Sequence, residues 1–277
     1  MQRIITLTTD FGYKDYYVGA LKGKIYSNIQ DCNIVDISHD VTNYNIEEAG
    51  FIIASAYSNF PKGTIHIIAV DSSVNELNPA ICVKYDNHYF VTSDNGILTY
   101  LLAGEGLQEA IYIHYDGSMR SNDLFVYCAY QLFEGRKLKN MGTKATQLVK
   151  LNRLGDALSI EENRITGKVI YEDSYGNLIT NVTREVFEST RATRNFVILV
   201  KNYRVTRINR FFADFKTTDS LSLKDRAGDF IAVFNDLDLL VLTLLYSKPN
   251  NPGGTPRTLM NIQVNDNINI EFDVLIE

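Results

Sequence analysis

Residues 4–12 read Ile4-Ile5-Thr6-Leu7-Thr8-Thr9-Asp10-Phe11-Gly12. The run from Ile4 to Thr8 is short and rich in β-branched side chains, which lose rotamer freedom in a helix and pack well on a pleated surface, so it predicts a strand. Gly12 reaches backbone angles that other residues reach only with strain, and the strand is expected to end there in a tight turn. Beyond the turn Tyr17, Val18, Leu21, Ile25 and Tyr26 recur at three- and four-residue steps. That spacing predicts a helix from Asp15 to about Asn28, with the Asp15 carboxylate at the favourable, positive end of its dipole. Strand, turn and helix in this order put Asp10 just past the carboxyl end of the first strand, where open α/β sheets bind their ligands.

A carboxylate in that position has three readings. It can satisfy loop amides or cap the coming helix. It can join a metal or phosphoryl-transfer site, or accept hydrogen bonds from the hydroxyls of a ribose, as acidic residues at strand ends do. Asp10-Phe11-Gly12 also spells the magnesium-binding triplet of protein kinases, but no catalytic loop precedes it, and the match is coincidental.

The 277 residues carry 27 basic and 33 acidic side chains, a net charge of −6, with the basic ones scattered rather than in a stripe. This argues against a nucleic-acid or anionic-membrane surface. Cys32, Cys82 and Cys128 form neither a metal-ligand spacing nor a disulfide framework, and His39, His66, His88 and His114 lack the paired spacing of a zinc site. No metal or cofactor is expected, and a reducing, cytoplasmic setting is. No apolar stretch approaches the length that crosses a bilayer and the first strand opens within four residues, so neither a signal peptide nor a span is expected.

Along the chain, Cys32–His39 predicts a second strand and Asn45–Tyr57 a helix. Thr64–Val70 is nearly unbroken apolar, which predicts a central parallel strand, and it ends on Asp71. Ile81–Tyr85 and Tyr89–Thr92 read as a hairpin, Ser93-Asp94-Asn95-Gly96 as a turn, Ile97–Ala103 as a short helix, Ala110–His114 as a strand and Asp123–Gly135 as a helix. The expected fold is a layered α/β domain with a mostly parallel sheet over residues 1–150, a linker over 151–164, and a smaller all-β, barrel-like domain over 165–277. Lys248–Arg257, with three of the five prolines, reads as an exposed loop.

Several segments together resemble one family. They are Ile4–Gly12 with Tyr17–Gly23, Ile34-Val35-Asp36-Ile37-Ser38-His39, Ala56-Tyr57 with Phe60–His66, Ser93–Thr99, and Asp173-Ser174-Tyr175-Gly176-Asn177 with Leu178–Asn181. In order and spacing they resemble the S-adenosylmethionine (SAM) hydroxide adenosyltransferases, relatives of the fluorinase and chlorinase. The resemblance implies a homotrimer with the site between the first domain of one subunit and the β domain of the next. It implies attack at C5′ of the ribose of SAM, a substrate rather than a cofactor, giving adenosine and methionine in the hydrolases or a 5′-halo-adenosine in the halogenases. Asp10 would hold the ribose hydroxyls and Asn177 face the adenine, within a substrate-binding set of Asp10, Phe11, Asp94, Asn95, Ser121, Asp173 and Asn177. Asp71 falls where the hydrolases keep an aspartate and the halogenases a tyrosine.

The chain departs from the family where chemistry is expected. The arginine of the hydrolases' Asp-Arg-His trio is replaced by Asn78. Their Phe-His-Gly-Arg-Asp reads Met119-Arg120-Ser121-Asn122-Asp123, which puts Arg120 at the histidine. A methionine- and adenine-holding loop aligns with Asn235–Val241 and has lost its tyrosine and glutamate. Ser121 coincides with a halide-contacting serine, although a serine before a helix is also a cap. The sulfonium leaves as a neutral thioether and needs no general acid, so the task is to hold a water in line behind C5′; a carboxylate and a nearby cation suit that task. Asp71 and Arg120 are the candidate catalytic pair, with Arg120 relocating the lost positive charge. A nucleoside-binding protein without turnover is the competing reading. Metal-dependent phosphoryl transfer by Asp10, Asp71 and Asp94 is a third.

Overall fold

In the computed structural model, which describes residues 3–102, 107–115, 117–215 and 222–273, the opening β-branched run is strand β1 (Arg3–Thr9), followed by helix α1 (Tyr17–Asn28). The chain divides into two compact units, Met1–Leu151 and Asn152–Glu277. The first continues through β2 (Cys32–Ser38), α2 (Ile46–Ala56), β3 (Ile65–Ala69), β4 (Ala80–Tyr85), β5 (His88–Ser93), β6 (Leu107–Ile113), α3 (Ser121–Phe133) and β7 (Gly142–Lys144). These strands form one sheet in the order β2-β1-β3-β5-β4-β6-β7.

Strand β3 lies between β1 and β5, parallel to both, and every one of its residues is buried. Alternate side chains serve opposite faces, as a pleated strand requires. Ile65, Ile67 and Ala69 join Leu21 and Ile25 of α1 and Leu124 and Phe125 of α3, whereas Ile68 and Val70 join Ala49 and Ile53 of α2. The expectation of a mostly parallel sheet is corrected: β1–β2, β1–β3 and β3–β5 are parallel, but β4–β5, β4–β6 and β6–β7 are antiparallel. The cause is local. Asp86 and Asn87 join β4 to β5 with φ of +45° and +62°, the two left-handed residues of a type I′ turn, which holds its strands antiparallel. The short helix expected over Ile97–Ala103 is a 3₁₀ turn over Ile97–Tyr100, with Ala103 outside the described residues.

The second unit comprises β8 (Ser159–Glu161), β9 (Arg164–Glu172), β10 (Leu178–Thr183), α4 (Arg184–Arg191), β11 (Phe196–Val200), β12 (Tyr203–Val205), β13 (Ile208–Asn209), β14 (Phe230–Phe234), β15 (Leu239–Leu244), α5 (Pro256–Met260) and β16 (Asn267–Phe272). Its sheet runs β12-β11-β16-β9-β10-β15-β14-β13, with β8 on β9. The path bends nearly into a barrel, bringing Tyr203 of β12 within 6.1 Å of Phe230 of β14, ring centre to ring centre. The stretch expected as linker supplies β8, hydrogen-bonded to β9. Two helices interrupt the expected all-β pattern. Helix α4, capped by Thr183, buries the ring of Phe187 against Phe196 and Phe234. Helix α5 grows out of the proline-rich stretch because Thr255 caps it and Pro256 occupies its first turn, where a missing N–H costs nothing.

Buried polar groups of the first unit also set its pH response. His66 Nδ1 lies 2.7 Å from Thr6 Oγ1 and its Nε2 3.1 Å from His88 Nδ1, with the ring stacked 4.8 Å from Phe90. Burial and the neighbouring imidazole push His66 down to about 3 from 6.5. The folded protein therefore stays neutral there while the unfolded chain takes a proton, so stability is intact above about pH 6.5 and falls as pH drops towards about 3. Urea titrations at pH 7, 5.5 and 4.5 are expected to show stability falling by up to ~1.4 kcal/mol per pH unit, with a shallower slope in His66→Gln.

Candidate functional site

Strand β1 is followed in the chain by β2 on one side of it and, after α2, by β3 on the other. Crossovers that leave a strand in opposite directions open a crevice at its carboxyl end. Asp10 follows β1 and Asp71 follows β3 at that crevice. A cleft of about 550 Å³ opens there, a volume typical of small-molecule sites.

Asp10 is buried, and its Oδ2 accepts from the backbone N–H of Tyr44 at 2.9 Å and, more weakly, from that of Asp71 at 3.4 Å. Its carbonyl accepts from Asn43 Nδ2 at 2.8 Å. Gly12 turns the chain away with φ +65° while its N–H bonds the His39 carbonyl at 2.8 Å. Asp71 itself holds φ +44°, a left-handed backbone that costs a residue with a side chain on the order of 1 kcal/mol. Asn95 clamps it there, with Nδ2 donating to the carbonyls of both Val70 and Asp71 at 3.0 Å. The Asp71 carboxylate forms no hydrogen bond or ion pair among the described residues.

The opposite wall is the start of α3. Arg120, Ser121 and Asn122 line the cleft, with Arg120 exposed and in no ion pair among the described residues. Ser121 does not cap the helix. Arg120 is the capping residue through its backbone, and Ser121 Oγ accepts the Val74 N–H at 2.9 Å, which leaves the hydroxyl proton to donate elsewhere. Phe11, Tyr16, Tyr17 and Tyr44 form an aromatic margin, in which Tyr16 and Tyr44 are 72% and 73% exposed. Lys24 of α1, ion-paired with Asp123, and Asp15 complete the charged lining. Sequence reasoning missed Asn43 and Tyr44; the signal was there in Asn45, the residue that caps α2 and fixes where the preceding loop stands.

Asp94 stands apart from this cleft. It is 2% exposed, with Oδ2 accepting from the Tyr112 hydroxyl at 2.9 Å and Oδ1 from the Val149 N–H at 3.1 Å. Asn95 lies behind the cleft as the clamp on Asp71. Asn78, which the resemblance aligns with the family's arginine, is not among the cleft-lining residues and closes a turn in which Asn75 Oδ1 accepts the Leu77 and Asn78 amides. In the second unit Asp173 braces its own turn, its Oδ1 accepting the amides of Tyr175 and Asn177 and its Oδ2 the Asn177 side-chain amide at 2.8 Å. Asn177 Oδ1 accepts in addition from Thr243 Oγ1 at 2.5 Å. Among the described residues no three of His, Cys, Asp and Glu gather as metal ligands, and no helix is long and apolar enough to cross a membrane.

A two-unit chain of this kind, with paired carboxylates at a switch point, belongs to the SAM hydroxide adenosyltransferase family: residues 5–142 match the model of the SAM hydroxide adenosyltransferase N-terminal domain and residues 167–268 that of its C-terminal domain. Among its relatives, an (R)-S-adenosyl-L-methionine hydrolase of Methanocaldococcus jannaschii is 30% identical over 187 residues, 66% of this chain and 68% of that one. A second protein of that name, from Salinispora arenicola, is 26% identical, covering 67% of this chain and 74% of that one. A fluorinase of Actinopolyspora mzabensis is 23% identical, covering 67% and 73%. A crystal structure of an uncharacterized conserved protein from Thermotoga maritima shares the fold, with a TM-score of 0.80 and 24% identity across 96% of this chain and 99% of that one.

The division between spent and unspent carboxylates can be measured. Asp94→Ala removes one acceptor from the Tyr112 hydroxyl, which keeps the Gln147 carbonyl, and takes the carboxylate from the Val149 amide, and it is expected to lower stability by about 0.5–1.5 kcal/mol in urea titration. Asp71→Asn keeps a side chain tolerant of left-handed backbone and removes no internal bond, so its midpoint is expected to stay within ~0.5 kcal/mol of the parent.

Proposed function

We propose that the chain binds SAM in the cleft between Asp10 and Asp71 and directs a water onto C5′ of its ribose, releasing adenosine and methionine. The observation that carries this reading is the pair of strand-end carboxylates: one half-satisfied and fixed, the other unspent and held in a strained backbone. Asp10 would take the ribose hydroxyls with the oxygen not used by the Tyr44 and Asp71 amides. The aromatic margin suits a nucleobase, since exposed rings offer flat apolar faces. Asp71 would accept a hydrogen bond from the attacking water, and Arg120 would favour its hydroxide character. Arginine stays charged at any working pH, so it orients and stabilises but takes no proton. Holding the water in line and free of competing solvent can remove about 7–11 kcal/mol of barrier.

On this reading residues 1–150 form the nucleoside-binding domain. Residues 165–277 supply Asp173 and Asn177 to the site of a neighbouring subunit in a homotrimer. The exposed rings of Tyr16 and Tyr44 support such a cover, and three free, buried cysteines accord with a reducing cytoplasm. A second reading, adenosyl binding without turnover, is favoured by one observation: Asp71 and Arg120 share the cleft without an ion pair, so the pair found elsewhere in the family is not rebuilt in contact.

Calorimetry with adenosine and with SAM, beside chromatography of the products, separates the two readings. Turnover is expected to release adenosine and methionine in equal amounts, and Asp71→Asn and Arg120→Ala each to lower that rate on the order of 100-fold or more. Binding without product in the parent protein supports the second reading, and 5′-halo-adenosine formed on adding halide would point to the halogenases instead.

A further inference from the structure

The segment Ile34–His39 stands out in the sequence, yet none of its residues lines the cleft. Its two polar ends meet behind the Asp10 turn. Lys22 Nζ donates to Asp36 Oδ2 at 2.5 Å, Asp36 Oδ1 lies 3.0 Å from His39 Nε2, and His39 Nδ1 lies 2.8 Å from Thr9 Oγ1. Thr9 Oγ1 in turn accepts the Phe11 N–H at 3.3 Å. Thr9 is fully buried and His39 is 1% exposed. The Asp36–His39 approach is too oblique for an in-line hydrogen bond, but both atoms are shut off from solvent with no other partner, so each has only the other.

The acceptor-only carboxylate at one end of the line favours one set of protons. A threonine hydroxyl has one proton and accepts through its lone pairs. The Asp36 carboxylate only accepts, so a neutral His39 turns its ring proton on Nε2 towards it and Nδ1 is bare. The Thr9 hydroxyl then donates to Nδ1 while a lone pair receives the Phe11 amide. A neutral imidazole bare at Nδ1 carries its proton on Nε2, the nitrogen that faces Asp36. Burial would raise the Asp36 carboxyl, but Lys22 and His39 more than offset that and hold it below the usual carboxylate range. Every member of the line from Lys22 to the Phe11 amide then faces a complementary neighbour, and the Asp10–Phe11 peptide is held at its far end. The His39 carbonyl holds the Gly12 amide as well.

We propose that Asp36, His39 and Thr9 form a positioning relay that sets the Asp10–Phe11–Gly12 turn and so presents the Asp10 carboxylate to ligand. None of the three touches the ligand. Their action on affinity rests on reading the cleft as an adenosyl site; their action on the turn does not. A displacement of about 1 Å in a positioning group is worth on the order of 100-fold, which bounds what the relay contributes.

The test removes the hydroxyl at nearly constant shape with Thr9→Val and keeps it with Thr9→Ser. Nitrogen-15 NMR of the His39 ring is expected to show the proton on Nε2 in the parent protein, and a mixture of tautomers in Asp36→Asn, a partly exposed position that tolerates the change. Thr9→Val is expected to quicken hydrogen exchange at the Phe11 amide and weaken adenosine binding about 10- to 100-fold in calorimetry, with Thr9→Ser restoring both. A parent His39 with its proton on Nδ1, or a folded Thr9→Val that binds adenosine as tightly as the parent, overturns the relay. Should the parent bind no adenosine, the adenosyl reading falls and the relay is judged on the tautomer and on Phe11 exchange, either of which overturns it if unchanged by the substitutions. Should Thr9→Val not fold, the parent tautomer and its response to Asp36→Asn decide.

Discussion

The first unit depends on one buried anion. Asp10 Oδ2 collects the backbone amides of Tyr44 and Asp71, and in doing so ties the end of β1 to the loop before α2 and to the end of β3. A carboxylate taken out of water must be given donors, and an uncompensated one costs several kcal/mol. The two loops supply those donors, and the geometry of the crevice follows from where they stand. The sheet decides which strand ends are neighbours, and the charge decides how closely the loops above them draw together.

Asp71 and Asp94 make the contrast plain. Each follows a strand, each is an aspartate in a turn, and the two turns are bound together through Asn95. Asp94 spends both oxygens on the protein itself, on a hydroxyl and an amide far along the chain, and serves as a buried joint. Asp71 spends none, and its backbone is held in a region that costs energy to occupy. Backbone strain of this kind persists only where the surroundings over-determine it, as Asn95 does here.

Much of this was legible in the sequence where the cause is local. β-Branched runs marked β1, β2 and β3 to within two residues, and the hairpin was visible from Asp86-Asn87-His88. The partner of a strand is not local, and the antiparallel half of the sheet was missed although the turn that imposes it had been seen. Helix α4 escaped notice because a single buried ring, Phe187, anchors eight residues that are otherwise mostly polar. Helix α5 did so because Pro256 was read as a breaker, whereas in a first turn it is an initiator. Asp94 looked like Asp10 and Asp71 because its partners, Tyr112 and Val149, lie 18 and 55 residues along the chain, and nothing in the spacing announces them.

The place of the hairpin carries a kinetic consequence. Strand β5, not the earlier β4, lies against β3, and β6 is added to β4. The order of strands across the sheet therefore differs from their order along the chain. β4 and β5 can zip across their two-residue bend within microseconds and meet β3 as a pair, while β6 and, through it, β7 add to the outer edge of β4. An error in that bend would propagate to every later strand of the sheet while leaving the first three untouched.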